Sequence, residues 1–87
     1  MVLDLEKAQL MSNLARKKGN WGNKYDRLEH FKRFPNLKQI VKELSKKRWV
    51  IVHKKPKFIA ISLNTEYKKE IIEFIEKQMP YLKGVIK

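Results

Sequence analysis

Apolar residues along this 87-residue chain recur at helical spacing, switch once to the pattern of extended strands, and then return to helical spacing. Over residues 3–17 they fall at Leu3, Leu10, Met11 and Leu14, with Ala8 and Ala15 beside them, which gathers them on one side of a first helix. Gly19, Asn20, Trp21, Gly22 and Asn23 break that helix. Asn23 suits the N-cap of a short second helix over 24–32, with Asp26 near its positive end and Tyr25, Leu28 and Phe31 as its buried side. Pro35 disfavours helical backbone at Phe34, so a third helix over 36–47 starts afresh beyond it. Asn36 followed three residues later by Gln39 has the form of a capping box. Within this helix Leu37, Ile40, Val41 and Leu44 occupy i, i+3, i+4 and i+7, the clearest stripe in the sequence. Turning about 100° per residue places Gln39, Lys42 and Lys46 on the opposite side, flanked by Lys38 and Glu43.

After Lys46, Lys47 and Arg48 the pattern becomes extended. Residues 49–53 and 58–63 are rich in β-branched and aromatic side chains, and residues 54–57 between them are short enough for a hairpin turn. Asn64 or Thr65 then caps a last helix running to about residue 79, with Tyr67, Ile71, Phe74, Ile75 and Gln78 on its inner side. Pro80 ends it. There is no internal repeat or linker, so the expectation is one α+β domain with a core over about 3–79 and a tail at 80–87.

Charge changes the picture more than bulk composition does. The formal net charge is +12, and residues 16–57 hold fifteen basic residues against only Asp26, Glu29 and Glu43. A surface built for solubility mixes its signs, whereas a segregated block forms an electrostatic footprint for phosphates. A lysine-rich surface of the heat-adapted kind would be expected to carry glutamate alongside, and this block does not. Cysteine is absent, which excludes a disulfide framework and thiolate metal sites. The longest uncharged run, residues 58–65, is far below the roughly 20 apolar residues that span a bilayer, so no membrane partner is expected. Acids at Asp4 and Glu6 replace the basic stretch of a signal peptide, and a cytoplasmic setting is the expectation.

The order helix, helix, helix, two-stranded hairpin, helix resembles the winged helix-turn-helix domains of small bacterial and archaeal transcription regulators. The residues that carry the likeness are Ile40 to Val50, which look like the end of a recognition helix entering the first wing strand, and Leu63, Asn64 and Thr65 after the second. Arg48 departs from the pattern, since such regulators usually have glycine at that helix end, and a different helix ending is expected for this reason. The resemblance implies a double-stranded DNA partner, with the third helix in the major groove and the hairpin on the backbone. Gln39 has the groups for a bidentate contact with adenine unless capping occupies it, and Lys42 can donate to guanine. Lys38 and Lys46 would lie nearer phosphates, as would Lys54, Lys55 and Lys57 on a turn stiffened by Pro56. Lys24, with Arg16, Lys17 and Lys18, would extend the footprint.

Two rival readings share these residues: a winged-helix module that docks proteins in a transcription or replication assembly, and an RNA-binding domain. Trp21, Phe31, Phe34, Trp49, Phe58 and Phe74 are expected in the core. Trp49 and Phe58 are the pair a single-strand binder would display among cations. His30 and His53, the only histidines, belong to no nucleophile arrangement, zinc spacing or phosphate loop, and the positive surroundings of Asp26, Glu29 and His30 disfavour a cation there. No enzymatic activity and no cofactor is expected. The first and last helices, with Tyr81, Leu82, Val85 and Ile86, offer apolar surface for a homodimer.

Overall fold

Leu10, Met11 and Leu14 from the first helix meet Ile40 and Leu44 from a central helix and Ile71 and Ile75 from the last, all fully buried, and the sheet closes this core with Ile61 and Leu63. The computed structural model describes residues 4–22 and 24–86. Leu3 and the expected cap Asn23 lie outside them, as do the side chains of Lys17 and Lys18. Helix α1 (Asp4–Ser12) continues as a π-helical turn (Asn13–Lys18); strand β1 (Asp26–Arg27) runs into a 3-10 turn (Leu28–Phe31). Helix α2 (Leu37–Lys46), strands β2 (Val50–Lys54) and β3 (Ile59–Leu63), and helix α3 (Lys68–Gln78) follow, α3 being entered through a 3-10 turn at Thr65–Tyr67. The result is an α+β domain of three α-helices and a three-stranded antiparallel sheet in the order β1-β3-β2. Its radius of gyration, 11.9 Å, matches the roughly 12 Å of a folded chain this long.

The expected second helix over 24–32 does not form. Asp26 and Arg27 instead pair with Ile61 and Ala60 of β3, and only Leu28–Phe31 turn, as a 3-10 segment. Leu28 and Phe31 are three apart, and the 3-10 turn brings both to the core side as well as an α-helix would, whereas Tyr25, expected on the same buried side, lies outside the turn and is 40% exposed. The decisive demand comes from β3, whose second edge needs backbone partners. Residues on both sides of position 23 supply them: Gly22 N–H donates to the Leu63 carbonyl at 2.8 Å, and Leu63 N–H donates to the Asn20 carbonyl at 2.8 Å. Asp26 fixes the turn by accepting the Arg27 N–H at 2.9 Å and by contacting the His30 Nδ1.

The first helix also changes its winding. The Ser12 hydroxyl and the Asn13 amide both donate to the Gln9 carbonyl, at 3.0 and 3.2 Å, and such side-chain donors compete with the backbone ladder. The wider turn that follows ends at Gly19, whose φ of 61° favours glycine and whose N–H returns to the Leu14 carbonyl. The capping box expected at Asn36 and Gln39 is also absent. Asn36 is left-handed at φ 60°, a conformation asparagine tolerates, and its side chain caps nothing. At the other end of the chain Leu82 and Ile86 join the core while Tyr81 and Val85 stay exposed, so the tail keeps only part of its apolar surface free.

Arg48 adopts the left-handed conformation that glycine usually supplies, with φ 65°. The helix end is therefore of the ordinary kind, contrary to expectation. Trp49 N–H donates to the Leu44 carbonyl at 3.1 Å and Arg48 N–H to the Ser45 carbonyl at 3.0 Å, the two bonds of a Schellman motif. Asn64 holds it from outside: its amide donates to the Arg48 carbonyl at 2.8 Å, its N–H donates to the Trp49 carbonyl at 2.9 Å, and its Oδ1 accepts the Glu66 N–H at 3.0 Å. One residue thus ties the end of α2 to the 3-10 turn that leads into α3. Arg48→Gly relieves a left-handed side chain worth about 1 kcal/mol and should raise the denaturant midpoint without changing the slope. Asn64→Ala should lower stability by about 1–2 kcal/mol in the same assay.

Candidate nucleic-acid interface

Helix α2 buries Ile40, Val41 and Leu44 and partly buries Leu37, so its other side faces solvent. That outer side carries Lys38, Gln39, Lys42 and Lys46, all exposed. The lysines recur every four residues, about 6 Å apart along the axis. Among the described residues none of the three enters an ion pair. Gln39 does not cap the helix; its Nε2 donates to Glu43 Oε2 at 2.8 Å.

Glu43, the one acid of α2, would cancel part of this positive face if it stood free. It is held instead by Lys7 of α1, whose Nζ lies 2.8 Å from Glu43 Oε1 and 3.6 Å from Asp4 Oδ1. Lys7 is only 7% exposed. The hydrogen bond from Lys7, with a second from Gln39, holds the Glu43 carboxyl below its usual range, and the bond to Glu43 raises the Lys7 ammonium despite the opposing effect of burial. Lys7 therefore joins α1 to α2 and offsets the acid that flanks the lysine row, while also serving Asp4. Nothing in the apolar pattern marked Lys7 for this role, because a lysine on a helix normally reads as solvated.

The hairpin places its cations elsewhere. Five residues of β2, about 15 Å of extended chain, separate the end of α2 from the turn. Lys54, Lys55 and Lys57 stand exposed at or beside that turn, which is closed by Lys55 N–H donating to the Phe58 carbonyl at 2.9 Å. Lys24 is exposed too, but in the segment leading to β1 rather than at a helix start. The structure thus gathers Lys38, Gln39, Lys42 and Lys46 on one helix face and Lys54, Lys55 and Lys57 on one turn, and Lys24 belongs to neither group, although the ring of its neighbour Tyr25 lies under the Lys55 ammonium.

That face of the sheet was not anticipated. Tyr25, Arg27, His53 and Phe58 share its outer side, the last having been expected in the core and being only half buried. Ser62 lies fully buried beneath them. Its hydroxyl donates to the Gly22 carbonyl at 2.9 Å, which leaves its oxygen to accept from His53 Nε2 at 2.9 Å, so the neutral imidazole carries its proton there. Burial, and Lys55 nearby, push the His53 imidazole below its ordinary value. Of the trio weighed as metal ligands, Asp26 contacts His30, and Glu29 lies 3.5 Å from Arg27.

These two shifts set an acid dependence of stability. A neutral His53 favours the fold above about pH 6.5 and loses that contribution as the pH falls below it, because the unfolded chain then takes up the proton first. The Glu43 contribution is present above about pH 4.3 and is lost as the pH falls through its lower folded value. Unfolding midpoints measured from pH 8 to 3 should therefore decline in two stages. Lys7→Met should flatten the lower stage, and His53→Gln the upper one.

Compared with protein-family models, with characterised proteins and with solved structures, the chain finds no match.

Proposed function

We propose that this chain is a winged-helix domain that binds double-stranded DNA, with α2 in the major groove and the β2–β3 turn on the phosphate backbone. The observation that carries the reading is the outer face of α2: lysines at 38, 42 and 46, unpaired among the described residues, and an acid drawn into a pair with Lys7 of the neighbouring helix. A helix entering the groove needs one side in its own core and one side polar, and α2 has that division. The element order supports the winged-helix likeness, with the helix that normally precedes the recognition helix reduced to a single 3-10 turn.

The reading favours phosphate attraction over base recognition. Gln39 spends its amide on Glu43, and a bidentate contact with adenine would require that bond to open. Lys42 remains as the side chain on the face best placed to reach a base edge, and a single lysine discriminates weakly. The domain would therefore bind many sequences with modest preference and strong dependence on salt.

If Lys38, Lys42, Lys46, Lys54, Lys55 and Lys57 each neutralise a phosphate, log affinity falls against log salt with a slope of about −5. A duplex titrated from 50 to 200 mM salt should accordingly lose about a thousandfold in affinity. Lys42→Glu and the double change Lys54→Glu with Lys55→Glu should each weaken binding and reduce the slope by about 1 or more per charge. Lys69→Glu on α3, an equal change in net charge for the single variant, should act less. Absence of binding at 50 mM salt, or equal effects of Lys42→Glu and Lys69→Glu, would refute the docking.

A further inference from the structure

The outer face of the sheet carries a layer of rings, with Arg27 beside it, that duplex binding leaves unused, and Lys55 is shared between this layer and the turn. Tyr25 lies over His53 with ring centroids 4.8 Å apart and planes tilted by 32°, and Phe58 follows at 6.4 Å from Tyr25 with a tilt of 36°. Tyr25 thus packs against both of the other rings. The Arg27 guanidinium lies 4.5 Å from the centre of Phe58, and the Lys55 ammonium lies 5.4 Å from the centre of Tyr25. Tyr25 is 40% exposed, and among the described residues its hydroxyl makes no hydrogen bond.

Packing explains part of this layer, since Ala60 and Ser62 are fully covered beneath it. Attraction to the ring faces holds Arg27 on Phe58 and Lys55 on Tyr25, but it leaves their positive charge in excess. An edge sheet face is sealed by apolar contact, and Arg27 and Lys55 add positive charge outside the seal where Glu29, 3.5 Å from Arg27, is the acid paired with either of them among the described residues. Flat rings flanked by cations offer what an unpaired nucleotide presents: a π-face to stack on and a phosphate to neutralise. The layer is also continuous with the turn at Lys54, Lys55 and Lys57, because Lys55 belongs to both and Phe58 closes that turn.

We infer that Tyr25, His53 and Phe58, with Arg27 and Lys55, form a stacking site for an unpaired base of a single DNA strand that adjoins a bound duplex. The base lies on the exposed part of Tyr25, and Lys55, an exposed and flexible side chain, moves from the ring to the flanking phosphate. The His53 ring beneath remains neutral at pH 7, which keeps a third positive charge out of the stack. The placement beside a duplex rests on the proposed function; the stacking site itself does not.

The test compares three probes: a blunt DNA duplex, the same duplex with a four-nucleotide tail at either end containing 2-aminopurine, and the tailed strand alone. One tailed duplex should bind about tenfold more tightly than the blunt one, with the 2-aminopurine fluorescence quenched on binding. Tyr25→Leu should remove both the gain and the quench, so that blunt and tailed duplexes bind that variant equally, and Tyr25→Phe should retain both. The denaturant midpoint of each variant shows that the comparison is between folded proteins, and quenching that survives in folded Tyr25→Leu overturns the site. No gain and no quench with either tail overturns the inference, whatever the blunt duplex does. Quenching of the single strand that depends on Tyr25, without any blunt-duplex binding, upholds the stacking site and refutes the duplex reading instead.

Discussion

Strand β3 runs through the middle of the sheet with backbone groups to satisfy on both edges, and four of its five residues are buried. A buried amide or carbonyl without a partner costs about 1–3 kcal/mol, so the second edge cannot be left open. β2 fills one edge over its full length, from Val50 opposite Leu63 to Lys54 opposite Ile59. The other edge is filled by whatever chain lies between α1 and α2. That requirement converts Asp26 and Arg27 into a strand, leaves only one 3-10 turn of the expected second helix, and draws Asn20 and Gly22 alongside Leu63. It also turns Tyr25 and Arg27 outward beside His53 and Phe58, since neighbouring positions on a strand alternate faces. The aromatic layer follows from the same demand that removed a helix.

This constraint explains which parts of the fold were legible in the sequence. The stripe of Leu37, Ile40, Val41 and Leu44 determines α2 by itself, because ten residues with one apolar side have few alternatives. The β-branched run ending at Leu63 and the cap at Asn64 are likewise local signals, and both appear within a residue or so of their expected places. The segment from Lys24 to Lys32 carries no comparable signal. Leu28 and Phe31 satisfy a helix or a 3-10 turn equally, and the choice was made by Ala60 and Ile61, some thirty residues further along. Arg48 shows the converse: local preference argued against a left-handed residue, yet the bonds from Trp49 to Leu44 and from Asn64 to Arg48 hold it there.

The candidate site divides in the same way. Exposure of Lys38, Lys42 and Lys46 follows directly from the stripe on the other side of the helix, so the lysine row was visible from spacing alone. Whether Glu43 opposes that row depends on a partner from another element, and spacing along one helix cannot show it. Lys7 is the partner, and it is nearly buried while the Glu43 side chain stays partly exposed, so the pair is only partly removed from the screening that weakens surface ion pairs. A charge paired at the junction of two helices contributes to the packing of α1 on α2 and, at the same time, to the sign of the outer face.

Gln39 marks where attraction and selectivity part. Its amide belongs to the same small network, Lys7 to Glu43 to Gln39, that makes the face positive. Releasing Gln39 to read a base leaves Glu43 with one donor fewer and brings its carboxylate closer to the behaviour of a free acid beside phosphate. Selectivity through Gln39 would therefore be obtained at the expense of the electrostatic attraction that brings the helix to DNA. A face organised in this way gains more from preserving its charge than from reading bases, and discrimination among nucleic acids then falls to a different surface. The ring layer on the sheet is suited to that task, because it separates unpaired from paired strands by shape and stacking, which requires no choice among base edges.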